Sequence, residues 1–248
     1  MNENDKITIH PLGDAALVVQ LANEASPNIH KKIIHLLHIL ESEPFPGLIE
    51  VVPTYTNITV FYDPIQVISE ADITYSPYET AHKMMLNYMR KMERIVTMER
   101  RTVQIPVLYG GIYGPDLAHV AKINGITEQE VIQIHSAPKY LVYMIGFAPG
   151  FPFLGGMDER VAAPRKDTPR PTIPAGSVGI AGTQTGVYPI DTPGGWQIIG
   201  QTPRNLFLRN EEIPSLLASG DILQFVPITE EQFKQYEAEE GGGRWQLK

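Results

Sequence analysis

The chain has 248 residues, 43% of them apolar and 19% charged, the balance of an ordinary folded protein with length enough for one large domain or two small ones. A net charge of −8 argues against a general nucleic-acid binder, which would carry a basic face, but leaves room for a small anion at a local basic site. The absence of cysteine excludes disulfides, thiolate nucleophiles and cysteine-type zinc sites.

The opening MNENDKITIH is polar, and no apolar run approaches the roughly 18 residues of a membrane span, so a cytoplasmic location is expected. Ile7, Ile9 and residues 15–21 read as two short strands turning at Pro11, Gly13 and Asp14. SPNIHKKIIHLLHILESE (residues 26–43) predicts an amphipathic helix. Ser26 supplies the N-cap, Pro27 the first helical position, and Ile29, Ile33, Leu36, Leu37 and Leu40 one face. His30, His35 and His38 lie on it. His35 and His38 are spaced to share a metal, but no third ligand stands on their face, so no metal site is assigned. Strands are expected at 48–52 and 57–62, the second closed by Pro64. A second helix spans 76–93, where Met84, Met85, Tyr88, Met89 and Met92 form either core or an adaptable partner surface. This order suggests an α+β two-layer sandwich over residues 1–98. The charge cluster Glu93, Arg94, Glu99, Arg100 and Arg101 marks the boundary.

A new strand follows at 103–108, then a glycine loop and a helix over 116–124 stopped by Gly125. Thr127 to Glu130 spells a capping box opening another helix. Residues 138–145 and 221–226 read as strands, as do 205–208. A short helix is expected over 211–219, a helix start after Thr229, and a flexible tail at 236–248. Short strands with frequent turns from residue 103 to 226 point to a closed β-structure.

The densest signal is Gly146–Asn205, with eleven glycines and nine prolines set among apolar β-formers. Glycine permits close backbone approach and positive φ, and proline fixes φ. The stretch therefore reads as short strands and tight turns, either barrel corners or backbone facing a ligand. Gly176, Gly179 and Gly182 fit neither the dinucleotide fingerprint nor a Walker A loop. Ser177 in AGSVG is one glycine short of a nucleophile elbow, and a triad would need His119 or His135 to fold back. All seven histidines lie at or before His135. What remains is a binding site of aromatics, backbone and a few polar groups. The candidates are Phe147, Phe151, Phe153, Thr183, Gln184, Thr185, Tyr188 and Trp196, with Gly150, Gly194 and Gly195 admitting a ligand to the backbone. Arg165, Lys166 and Arg170 form either a solvated turn or a carboxylate or phosphate contact. Asp191 is either a base or a turn residue.

GFAPGFPFLGGM (146–157), AAPRKDTPR (162–170) and IPAGSVGIAGTQTGVYPIDTPGGWQIIGQTP (173–203), together with PLGDAALVVQ (11–20) and YGGIYGPDL (109–117), resemble the allophanate hydrolase subunit 1 family. The resemblance implies a cyclophilin-like β-barrel over 99–235. It also implies a part in opening 5-oxoproline to glutamate at the expense of ATP, together with the companion A and C subunits of a 5-oxoprolinase. With no ATP loop of its own, the chain is expected to be inactive alone and to bind no cofactor alone, ATP being used by the complex. No catalytic residue is assigned. The family also implies an alternative, inhibition of the autophosphorylation of a sporulation histidine kinase.

Overall fold

The computed structural model describes residues 7–69, 75–92 and 100–240. It divides into two compact units, Met1–Glu99 and Arg100–Lys248. The boundary expected near residue 98, with Glu93, Arg94 and Glu99, lies outside the described residues.

The first unit is built on an antiparallel sheet of β1 (Thr8–Pro11), β2 (Ala16–Gln20), β3 (Leu48–Pro53) and β4 (Asn57–Tyr62), in the order β1-β2-β4-β3. Alternate residues of the two central strands, Leu17 and Val19, then Ile58, Val60 and Tyr62, are buried, the period of a sheet covered on one face. The cover comes from α1 (Pro27–Ser42) and α3 (Pro77–Met92). They bring Ile33, Leu36, Leu40 and Met85 into the same core, each worth about 1.5–3 kcal/mol of burial. Ser26 caps α1 by accepting from the Ile29 N–H at 3.2 Å. Met84, Met89 and Met92 pack partly buried against this core, which favours packing for the methionine set. One helix was not expected: α2 (Pro64–Ser69). Pro64 does end β4, but Asp63 then accepts from the N–H groups of Ile65 and Gln66 and starts a helix, with proline at its tolerated first position.

The second unit is a seven-stranded sheet in the order β10-β9-β12-β5-β13-β6-β7. Its strands are β5 (Thr102–Tyr109), β6 (Tyr140–Ile145), β7 (Pro152–Gly155), β9 (Ser177–Ala181), β10 (Gln184–Val187), β12 (Gln197–Gln201) and β13 (Ile222–Pro227). The edge strands β7 and β10 come into contact, so the sheet curls into a nearly closed barrel. All its pairings are antiparallel except β5 with β13. A separate ribbon pairs β8 (Arg170–Ile173) with β11 (Thr192–Gly194). Val103, Ile105, Val178, Ile180, Val187 and Phe225 are among the barrel core, joined by Leu117, Val120 and Val131 from α4 (Leu117–Asn124) and α5 (Glu128–Ser136). The Thr127–Glu130 capping box is present, and Gly125 closes α4 in the left-handed conformation.

Three expectations change here. Residues 205–208 form no strand, only a single bridge between Phe207 and Ser215. Residues 211–219 are turns and bends rather than a helix: Leu216 donates to the Leu206 carbonyl, so the segment pairs back on its neighbour instead of bonding within itself. Residues 236–240, assigned by composition to the tail, complete α6 (Glu230–Glu240); 241–248 lie outside the described residues.

Candidate functional site

Strand β10 sets the layout, because side chains alternate across a strand. Thr185 and Val187 point into the barrel, where Val187 is core. Gln184 and Gly186, with Tyr188 just beyond the strand, share the outer face. Directly opposite Gly186 in register stands Gly179 of β9. A Cβ on Gly186 would lie 3.1 Å from Phe151 Cζ and 3.3 Å from Trp196 Cζ3, and one on Gly179 would lie 3.2 Å from Trp196 Cβ. The facing glycines therefore form a flat shelf that lets the two rings rest on the backbone.

On this shelf the predicted aromatics come together. Phe151 is the hub, with ring centroids 5.4 Å from Phe147, 5.3 Å from Phe153, and 6.0 Å from both Tyr188 and Trp196. Tyr188 and Trp196 are 6.0 Å apart. All are edge-to-face, an arrangement worth about 0.5–1.5 kcal/mol per pair beyond burial. Ile173 of the β8–β11 ribbon and Ile198 of β12 complete the apolar patch. Phe151 and Tyr188 are buried, Phe153 and Trp196 half-buried. Phe147 stands 74% exposed with φ +68°, a left-handed conformation that costs a bulky residue about 1–3 kcal/mol and concentrates at functional sites.

The polar frame is held by a residue that sequence reasoning missed. Asp116 sits at the start of α4 but caps nothing. Its carboxylate instead accepts from Arg170 Nη2 at 2.8 Å, from Lys166 Nζ at 3.4 Å and from the Ile198 N–H at 2.7 Å. Burial pushes its pKa up, but Arg170, Ile198 and Lys166 outweigh that and hold it below the usual carboxylate range. Lys166 and Arg170 are thus committed to an internal carboxylate. Their partner lies 50 and 54 residues away in sequence, and the local pattern around Asp116 reads only as a helix start. Arg165 is exposed, and its charge bears on the Tyr188 phenol. Asp191 accepts from the Ala175 N–H at 2.7 Å, the turn role of its two readings.

Other candidates fall elsewhere. Thr185 is buried inside the barrel. It donates to the Gly179 carbonyl at 3.0 Å and so accepts from His135 Nε2 at 2.8 Å, which leaves His135 Nδ1 to accept from the Tyr109 hydroxyl at 2.8 Å. Burial drops the His135 pKa to about 3, and the ring stacks on Phe225. That neutral, fully bonded histidine and the buried Ser177 form no triad. Thr183 and Gln184 are exposed at the β9–β10 hairpin, Gln184 on the shelf side. Gly150, at φ +81°, packs its α-carbon on Leu206 and Phe207. Gly194 faces the Tyr188 hydroxyl, 2.7 Å from where its Cβ would be. The Gly195 carbonyl accepts from the Lys166 N–H at 2.7 Å. Among the described residues no three metal-ligating side chains converge, and no helix is long and apolar enough to cross a membrane.

The family description carboxyltransferase domain, subdomains C and D, matches residues 7–217. The chain belongs to that family. It is 49% identical over 232 residues to the 5-oxoprolinase B subunit of Bacillus subtilis (strain 168), covering 93% of this chain and 97% of that one. It is 40% identical over 220 residues to the Haemophilus influenzae protein of the same name, covering 89% and 97%. The crystal structure of PH0987 from Pyrococcus horikoshii, 41% identical, matches 91% of this chain and all of that one with a TM-score of 0.53. That of TTHA0988, 32% identical, matches with a TM-score of 0.72 over 86% of this chain but only 40% of its own length. The relatives' names favour the oxoproline reading of the motifs over the kinase one.

Proposed function

We propose that this carboxyltransferase-family chain is the B subunit of an ATP-dependent 5-oxoprolinase, opening 5-oxo-L-proline to L-glutamate in the cytoplasm with companion A and C subunits. The observation that carries the reading is its 49% identity to a 5-oxoprolinase B subunit across 97% of that protein. Division near residue 98 and a cyclophilin-like type for the second unit's barrel belong to the same proposal; closure of β10 on β7 supports the second.

The chemistry suits a shared site. A lactam is resonance-stabilised, so water alone opens it slowly, and phosphoryl transfer from ATP supplies a leaving group. This sequence carries no Walker A loop, so its own contribution is to bind and orient. The glycine shelf with Phe151, Tyr188 and Trp196 offers a flat apolar wall for a five-membered ring, and excluding water there strengthens every polar contact made beside it.

The test is to co-express this chain with the A and C subunits and to follow glutamate with and without ATP. Turnover is expected only with all three chains and ATP. Trp196→Ala should lower it at least tenfold, with folding of the variant checked by circular dichroism. If the A and C subunits alone cleave 5-oxo-L-proline as fast, the reading is wrong.

A further inference from the structure

On the outer face of the barrel, the fold buries a tyrosine without bonding its hydroxyl. Tyr188 is only 3% exposed, yet its hydroxyl makes no hydrogen bond with any described residue, unlike the partly buried Tyr109 and the buried Tyr140, whose hydroxyls are both bonded. Nor is the oxygen sealed off, since it is absent from the buried polar atoms lacking a partner. Solvent therefore reaches the oxygen, and a ligand acceptor can take the place of water there. Burial raises the phenol pKa to about 12 although Arg165 lowers it, so at neutral pH the group is a donor.

Its surroundings limit what that ligand is. Arg165 directly precedes Lys166, whose N–H donates to the Gly195 carbonyl, next to the Gly194 that borders the Tyr188 hydroxyl; its own donors are uncommitted among the described residues, whereas Lys166 and Arg170 are bonded to Asp116. Asp191, three residues after Tyr188, is bonded to the Ala175 N–H. Directly beside the phenol are the rings of Phe151 and Trp196. A phenol O–H and a single guanidinium fork can both donate to a monoanion with two oxygens, and the rings offer a wall to something flat and apolar attached to it.

We propose that the Tyr188 hydroxyl and Arg165 form a carboxylate subsite on the glycine shelf, which takes a small planar ring acid by its carboxylate while the ring lies against Trp196. This deepens the function proposed above and rests on it for the identity of the acid: the subsite would hold the carboxylate of 5-oxo-L-proline, leaving the lactam bond free for the companion subunits.

Binding is measured on the full chain, and on the three-chain complex where it assembles. Trp196 fluorescence reports it in a Trp245→Phe background. The probes are 5-oxo-L-proline, 2-pyrrolidinone (the same ring without the carboxylate), acetate and inorganic phosphate. Saturable binding of 5-oxo-L-proline is expected, at least tenfold tighter than 2-pyrrolidinone or acetate, with no displacement by an equal concentration of phosphate. Arg165→Ala and Tyr188→Phe should each weaken 5-oxo-L-proline about tenfold and leave 2-pyrrolidinone unchanged, and Arg165→Lys should recover part of the loss. No saturable response in either preparation, equal weakening of both ring ligands, or preferential binding of phosphate overturns the subsite. Turnover and binding separate the two proposals. Three-chain turnover that ignores Arg165→Ala and Tyr188→Phe defeats only the subsite. Carboxylate binding without three-chain turnover defeats only the enzyme assignment.

Discussion

The inner and outer faces of β10 treat polar groups in opposite ways. Inside the barrel, the Tyr109 hydroxyl, His135, Thr185 and the Gly179 carbonyl form a closed relay in which every donor has an acceptor. Outside, one residue past the strand's end, the Tyr188 hydroxyl has no such partner among the described residues. Both sets are buried, and burial alone would have ranked His135 first, since its pKa is the more displaced. The difference teaches that hydrogen-bond completeness separates a structural polar group from an available one. The relay is finished and stabilises the fold; the phenol is unfinished and awaits a ligand.

The comparison is broken most directly from the inside. His135→Leu leaves the Tyr109 hydroxyl without its acceptor and removes the donor to Thr185, and should destabilise the protein by about 3 kcal/mol, read from the urea midpoint. A midpoint unchanged within error would mean the relay contributes nothing. A smaller effect comes from pH. The folded pKa of His135, about 3, lies below its unfolded value near 6.5, so unfolding takes up a proton between them. This contribution is complete above about pH 6.5 and is lost as pH falls towards 3, at about 1 kcal/mol between pH 6 and 5. His135→Leu should flatten the pH dependence by that amount, and parallel curves for the two proteins would contradict a neutral buried histidine. The smallest effect is the most telling. Tyr188→Phe should leave stability within about 0.5 kcal/mol, because no bond of the fold is lost. A large drop would place Tyr188 with the relay instead.

Legibility in the sequence follows the range of each interaction. Helices announce themselves through caps no more than four residues long, Ser26 with Pro27 and Thr127 with Glu130, and the structure keeps both. The aromatic cluster is visible because GFAPGF and TPGGW concentrate rings and glycines in short motifs. Asp116 is not visible, since its three partners come from β8, β12 and the loop before β8. Thr185 reads as a site residue because a strand's two faces are distinguished only by register, and pairing with β9 turns it inward. Residues 211–219 have helical composition but find their partners in a neighbouring loop. The glycines spaced by three prove to be a turn, a shelf and a hairpin rather than one phosphate loop.

The parallel pairing of β5 with β13 has a consequence for how the protein is made. β5, near the middle of the barrel sheet, begins at Thr102, while the strand beside it begins at Ile222, and Arg101 is held by Asp221 at the same join. During synthesis β5 leaves the ribosome well over a hundred residues before that neighbour, so the first unit can fold while the barrel is still open. Such distant pairing is slow and leaves strand edges unprotected in the interval. The β-unit is therefore expected to be the slower of the two to fold. A chain stopped at residue 217, where the family match ends, would keep every aromatic of the outer face yet lack the strand that closes β5 to β6.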